Sequence, residues 1–174
     1  ATRVAEGDVL RDDVVDARGN LFSATPSSGW MLGGAFIAGD TGVPLSDRMQ
    51  VFDLDPKSPN VLAGGKRPRT TLTPTIVLKD EKPFLAISTP GGDSQDQQIL
   101  LVLLNIIDFG MDVQAAIEAP RMNSLHPQSS FDDHRAQPGV LEVESTLAPQ
   151  VLEDLRSRGH VLRVRAPYGI STGI

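Results

Sequence analysis

Residues 75–110 read TIVLKDEKPFLAISTPGGDSQDQQILLVLLNIIDFG, and the order of signals within them sets the fold. Thr75-Ile76-Val77-Leu78 and Phe84-Leu85-Ala86-Ile87 are short apolar runs on either side of Lys79-Asp80-Glu81-Lys82, the pattern of a β-hairpin. Thr89-Pro90-Gly91-Gly92-Asp93 follows as turn chemistry. From Gln98 to Phe109 the chain is apolar almost all the way round, at Ile99, Leu100, Leu101, Val102, Leu103, Leu104, Ile106 and Ile107. A helix of that kind is expected to be buried on most sides. Gly110 ends it. Asp112 can cap a second helix, Val113 to Ala119, which Pro120 terminates.

Working outward, Asp13 to Asp16 and Leu21 to Thr25 flank Ala17-Arg18-Gly19-Asn20 and predict an earlier hairpin. Residues 26–50 are rich in Gly, Pro and Ser, and 53–70 are bounded by Pro56, Pro59 and Pro68, so both read as loops. Downstream, Gly139 to Val143 reads as a strand. Leu147, Val151, Leu152 and Leu155 then fall on one helical face. Ser145 or Thr146 can cap that helix and Gly159 can stop it, before a half-exposed strand from Val161 to Arg165. Strands, then helices, then a mixture predict an α+β layered fold with largely antiparallel pairing, in one domain over residues 1–174. Neither end carries a domain-end signal, and the expectation is a chain truncated at both ends.

Composition removes several classes of function. The 174 residues carry 16 Lys and Arg against 22 Asp and Glu, a net charge of -6, which is no footprint for nucleic acid. There is no cysteine, so thiolate metal sites and cysteine nucleophiles are excluded. No apolar run approaches the roughly 18 residues of a membrane span. The residues call for no metal and no cofactor: His126, His134 and His160 lack metal spacing, and Asp132-Asp133-His134 reads as a solvated loop. Asp12 and Asp13 are too isolated for an acid/base pair. Gly64-Gly65-Lys66 runs into Arg67-Pro68 where a phosphate loop needs Ser or Thr. Gly169-Ile170-Ser171-Thr172-Gly173 matches G-x-S-x-G but lacks the following helix that a nucleophile elbow requires.

Four ordered segments carry a family signature. They are Gly7-Asp8-Val9 with Val14-Val15-Asp16 and Gly19-Asn20; Lys66-Arg67-Pro68-Arg69-Thr70-Thr71; Thr89-Pro90-Gly91-Gly92-Asp93; and Asn105 to Gly110 with Ala116 to Arg121. Together they resemble the C-terminal, small-subunit half of the γ-glutamyltranspeptidase family of N-terminal nucleophile hydrolases. Ser23 to Trp30 and Gly91 to Gln97 look like a bacterial γ-glutamyltranspeptidase-like branch. The resemblance implies an αββα layered fold of which this chain supplies about half. It also implies a large-subunit partner cut from the same precursor, and amide hydrolysis or acyl transfer through an acyl-enzyme. The compartment stays open between periplasm and cytoplasm.

The resemblance assigns roles residue by residue. Val9 stands where the family keeps its threonine nucleophile, and Arg11 replaces a common histidine. Valine has no hydroxyl to attack an amide. Thr2 is the only nearby hydroxyl residue, and it lies seven positions too early. Ser27 matches a hydroxyl residue that supports the nucleophile. Gly91 and Gly92 match backbone donors to an oxyanion, or else form only a tight turn between strand and helix. Thr70 and Thr71 match a hydroxyl pair that holds a substrate carboxylate, or else simply begin a strand. Arg48 and Val51 fall where glutathione-cleaving members bind the glutamyl ammonium. Val51 cannot pair with that group, and Arg48 would repel it yet suits a carboxylate. The implied ligand is therefore a small amide or γ-glutamyl-like compound bearing a carboxylate. A non-catalytic binding or scaffold protein on the same fold is the competing expectation.

Overall fold

A computed structural model describes residues 11–29 and 33–167. Strand β1 (Asp12–Val15) pairs antiparallel with β2 (Leu21–Ala24). The turn between them is organised by Asp16, whose carboxylate accepts from the Arg18 and Asn20 amides at 2.8 and 2.9 Å and from Asn20 Nδ2 at 2.7 Å. The Asn20 bonds, side chain first, hold the Asp16 carboxyl below its usual range. Gly19 supplies the positive φ, 82°, that closes the turn.

The second hairpin joins β3 (Thr75–Lys79) to β4 (Lys82–Ile87), with a bulge between Val77 and Leu78. Its tip places Asp80 and Glu81 at φ of 52° and 62°, a left-handed pair more usually built with Asn and Gly. The two hairpins do not share one sheet. Each hairpin closes its own two-stranded ladder, and β2 packs beside β4. The join involves side chains: Ser88 Oγ donates to Asp13 Oδ2 at 2.6 Å. That contact gives Asp13 a structural role.

Helix α1 (Gln95–Ile107) begins three residues earlier than the apolar run predicts. Its inner face carries Gln95, Gln98, Ile99 and Val102, and the apolar core gathers Ile99 and Val102 with Ile87 and Ala116. Ala116 belongs to α2 (Val113–Glu118), capped by Asp112, whose side chain accepts from Ala115 N at 2.9 Å. The expected burial of α1 on most sides is corrected. Leu100 and Ile107 remain 56% and 57% exposed, because β4, α2 and the next strand cover one side only.

That next strand, β5 (Met122–Ser124), pairs antiparallel with β6 (Val140–Glu144), which pairs parallel with β7 (Val161–Arg165). The parallel pair departs from the antiparallel expectation because α3 (Pro149–Ser157) crosses between its strands. Neither Ser145 nor Thr146 caps α3: Ala148 is the N-cap and Pro149 opens the first turn, where a missing N–H costs nothing. Two glutamines of α1 reach the backbone of β5. Gln97 accepts from Ser124 N at 2.8 Å and donates to Ser124 O at 3.1 Å, while Gln98 donates to Met122 O at 2.9 Å.

Candidate active site

Beyond β4, the buried Ser88 and Thr89 lead into the glycine pair. Gly91 has φ 131° and ψ 20°, and Gly92 has φ 54°. Both values disfavour any side chain. A Cβ on Gly92 would also stand 2.9 Å from Phe131 Cε2. The chain then tightens into a 3-10 turn, Gly92–Ser94, where Ser94 N and Oγ donate to Gly91 O at 3.0 and 2.8 Å. Asp93 braces the turn from outside by accepting from Ser130 N at 2.7 Å and from the Ser130 hydroxyl.

Thr70 and Thr71 reach the same region from the long loop before β3. Thr70 is exposed, and its Oγ1 accepts from Leu72 N at 3.2 Å, which leaves the hydroxyl proton available to a ligand. Thr71 is buried and its hydroxyl has no hydrogen-bond partner. The wholly buried Gln95 ties this loop to the turn. With its amide oriented to satisfy both neighbours, its nitrogen donates to Thr89 O at 3.1 Å and Thr71 O at 3.0 Å. A cavity of about 400 Å³ opens here, with Thr70, Thr71 and Gly92 on its wall beside Arg69, Asp93 and Asp96. Asn123 and Arg135 also line it. The size suits a small polar ligand.

Ser27 and Arg48 come together elsewhere: Arg48 Nη2 donates to Ser27 Oγ at 2.8 Å, and neither residue lines that cavity. Arg48 sits in a short 3-10 turn, Arg48–Val51, within a segment read from sequence as plain loop. Val51 is buried and borders a second cavity of about 260 Å³, which shares Arg69, Gln128 and Ser129 with the first. His134 also lines it and is not the solvated residue the sequence suggested. Its Nδ1 lies 3.1 Å from Ser129 O and its Nε2 lies 3.8 Å from Asp53 Oδ1, so it pins two loops together. Asp133 instead pairs with Arg135 at 2.7 Å. No group of three or more metal-binding side chains occurs among the described residues.

Val9, Thr2 and Gly169 to Gly173 lie outside the described residues. Sequence reasoning missed three residues that shape the cavity. Asp93 and Arg69 entered only as members of their family segments, and Gln95 fell before the helix expected from Gln98. The adjacency of Arg69 to Thr70 is the one signal that could have raised it.

The α+β arrangement of these elements is that of an N-terminal nucleophile hydrolase. A family profile described as Gamma-glutamyltranspeptidase matches residues 8–174, and the chain belongs to that family. It is 32% identical over 171 residues to a glutathione hydrolase proenzyme of Escherichia coli, covering 92% of this chain and 28% of the relative. It is also 32% identical over 160 residues to the acylase ACY 1 proenzyme of a Pseudomonas, covering 92% and 26%. The chain thus spans under a third of the length of these relatives. Among solved structures, a Helicobacter pylori γ-glutamyltranspeptidase superposes with a TM-score of 0.76 at 28% identity, covering 89% of this chain and 84% of that one.

Proposed function

We propose that this chain is the small-subunit region of a γ-glutamyltranspeptidase-type amide hydrolase or acyl transferase, acting with a large-subunit partner from the same precursor. The observation that carries the reading is the single cavity lined by Thr70, Thr71 and Gly92. In such a site a threonine hydroxyl attacks the amide carbonyl, and that threonine's own α-amine takes the proton. The N–H groups of Gly91 and Gly92 receive the oxyanion, the amine leaves, and water or a second amine releases the acyl group. Thr70 and Thr71 hold the substrate's carboxylate, and Ser27, fixed by Arg48, supports the nucleophile. A partner is supported by the bare outer face of α1, by the greater length of the relatives, and by their description as proenzymes.

Val9 favours a second reading, a member that binds and does not turn over. Loss of a covalent nucleophile costs on the order of a million-fold in rate, leaving binding and oxyanion stabilisation. Val9→Thr alone does not restore activity, because the amine of residue 9 stays in a peptide bond with Asp8. Acyl-anilide hydrolysis distinguishes the readings. It is compared for the wild-type chain, for Val9→Thr, and for Val9→Thr beginning at residue 9, each with and without the partner subunit. Turnover is expected only for the last form with its partner. Turnover by the wild-type chain, with attention moved to Thr2, would support the hydrolase reading; turnover by that last form alone marks the natural chain as a binding member with an intact acyl pocket, and none by any form removes the acyl pocket itself.

A further inference from the structure

The resemblance gives the carboxylate to Thr70 and Thr71, with Arg48 suited to the same charge, but the cavity points to a different guanidinium. We infer that Arg69 is the residue with which this chain charge-matches a carboxylate on the acyl side of its ligand. The inference rests on the reading of the cavity as the acyl pocket. Arg48 is half-buried, donates from Nη2 to Ser27 at 2.8 Å, has its unpartnered Nη1 enclosed away from solvent, and does not line the cavity that holds Thr70, Thr71 and Gly92. Arg69 lines that cavity, is next in sequence to Thr70, and also borders the smaller cavity beside Val51.

The other charged side chains on the wall already have an ion-pair or hydrogen-bond partner. Arg135 is paired with Asp133 at 2.7 Å. Asp93 accepts from the Ser130 amide and hydroxyl. Asp96 sits in the first turn of α1, where the helix favours a negative charge, and accepts from Gln97 N at 2.8 Å. Arg69 has only a long bond, 3.4 Å, from Nη1 to the Gln128 carbonyl, and no acidic partner among the described residues. A guanidinium keeps several donors in a planar fork, and one weak carbonyl contact leaves most of them for a ligand. A carboxylate there meets the Arg69 fork and the free Thr70 hydroxyl proton from adjacent residues. The ligand class is an acyl group that ends in a carboxylate, with its amide carbonyl toward Gly92.

The test uses the chain together with its large-subunit partner, glutarate as the acid probe and butyramide as a neutral amide of similar length, with affinities from calorimetry and the backbone amide signals of Gly91 and Gly92 followed by NMR. Glutarate is expected to bind the chain, to weaken at least about tenfold in Arg69→Leu, and to recover partly in Arg69→Lys. Butyramide should bind wild type and Arg69→Leu alike. Equal glutarate affinity in wild type and Arg69→Leu, or no glutarate binding by the wild type, overturns the assignment. If butyramide still moves the Gly92 signal in that case, the acyl-pocket reading survives without Arg69. Loss of glutarate binding in Arg69→Leu, with neither probe moving Gly91 or Gly92, keeps Arg69 as an anion site and sinks the acyl-pocket reading instead.

Discussion

The amide nitrogen of Gln95 lies 3.0 Å from the carbonyl oxygen of Thr71 and thereby fixes the hydroxyl-bearing loop to the first turn of α1. The same nitrogen serves Thr89 O at 3.1 Å, so one fully buried side chain satisfies two enclosed carbonyls. Gln95→Leu should therefore cost about 2–4 kcal/mol, since buried carbonyls are left unpaired. Gln95→Glu should be worse at neutral pH, because a carboxylate would face two carbonyl oxygens. Burial and those oxygens raise the folded-state pKa of the new acid. Its penalty is then small below the unfolded-state value of about 4.3 and grows as pH rises above it. Urea melts of both variants at pH 4 and pH 7 check the order and its pH dependence.

The glycine pair should tolerate no side chain at its second position. Gly92→Ala combines a left-handed backbone, disfavoured by about 1–2 kcal/mol, with a Cβ 2.9 Å from the Phe131 ring. Trimming the ring with Phe131→Leu should relieve the clash and leave the backbone term. A double-mutant cycle by thermal melts should therefore show coupling between the two positions and incomplete rescue.

The hairpin tip offers a gain in stability. Glu81 holds a φ of 62° with no glycine-like freedom. Glu81→Gly should raise stability by about 1 kcal/mol, visible as a higher melting temperature, with no effect on ligand affinity. A fall in melting temperature would mean that the turn depends on the Glu81 side chain.

The outer face of α1 bears on assembly. Leu100, Leu104 and Ile107 share one stripe at helical spacing and are exposed. Without its proposed partner the chain should self-associate, and Leu100→Lys with Ile107→Lys should shift it toward monomer in sedimentation velocity. A wild-type chain that sediments as a monomer with a cooperative melt would contradict the need for a partner.

Both hairpins, α1, α2, β6 and β7 were legible because their residues repeat at the period of the element or sit between turn-forming residues. The failures have local causes. β5 has only three residues, and part of its edge is held by Gln97, a helical side chain whose reach no strand pattern reveals. The start of α1 was hidden because Gln95, Asp96 and Gln97 look like turn polarity, whereas Gln95 and Gln97 bond to backbone groups across the fold. Ser145 and Thr146 are good caps by type, yet α3 starts later, at Pro149. In the site, Thr70, Thr71, Gly91 and Gly92 stood out through their motifs. Arg69 did not, since an arginine beside Lys66 and Arg67 reads as surface until a cavity is seen next to it.

The three glutamines at the start of α1 have one more consequence. Gln95, Gln97 and Gln98 anchor the helix to Thr71, Thr89, Met122 and Ser124 through neutral amides alone. An anchor made of ion pairs would loosen with added salt or a change of protonation. Uncharged amides respond to neither. The frame that sets the distance from the hydroxyl pair to the glycine turn is thus indifferent to ionic strength, whereas a carboxylate held at Arg69 is released as salt rises. Ligand binding can weaken in brine while the scaffold around it keeps its shape.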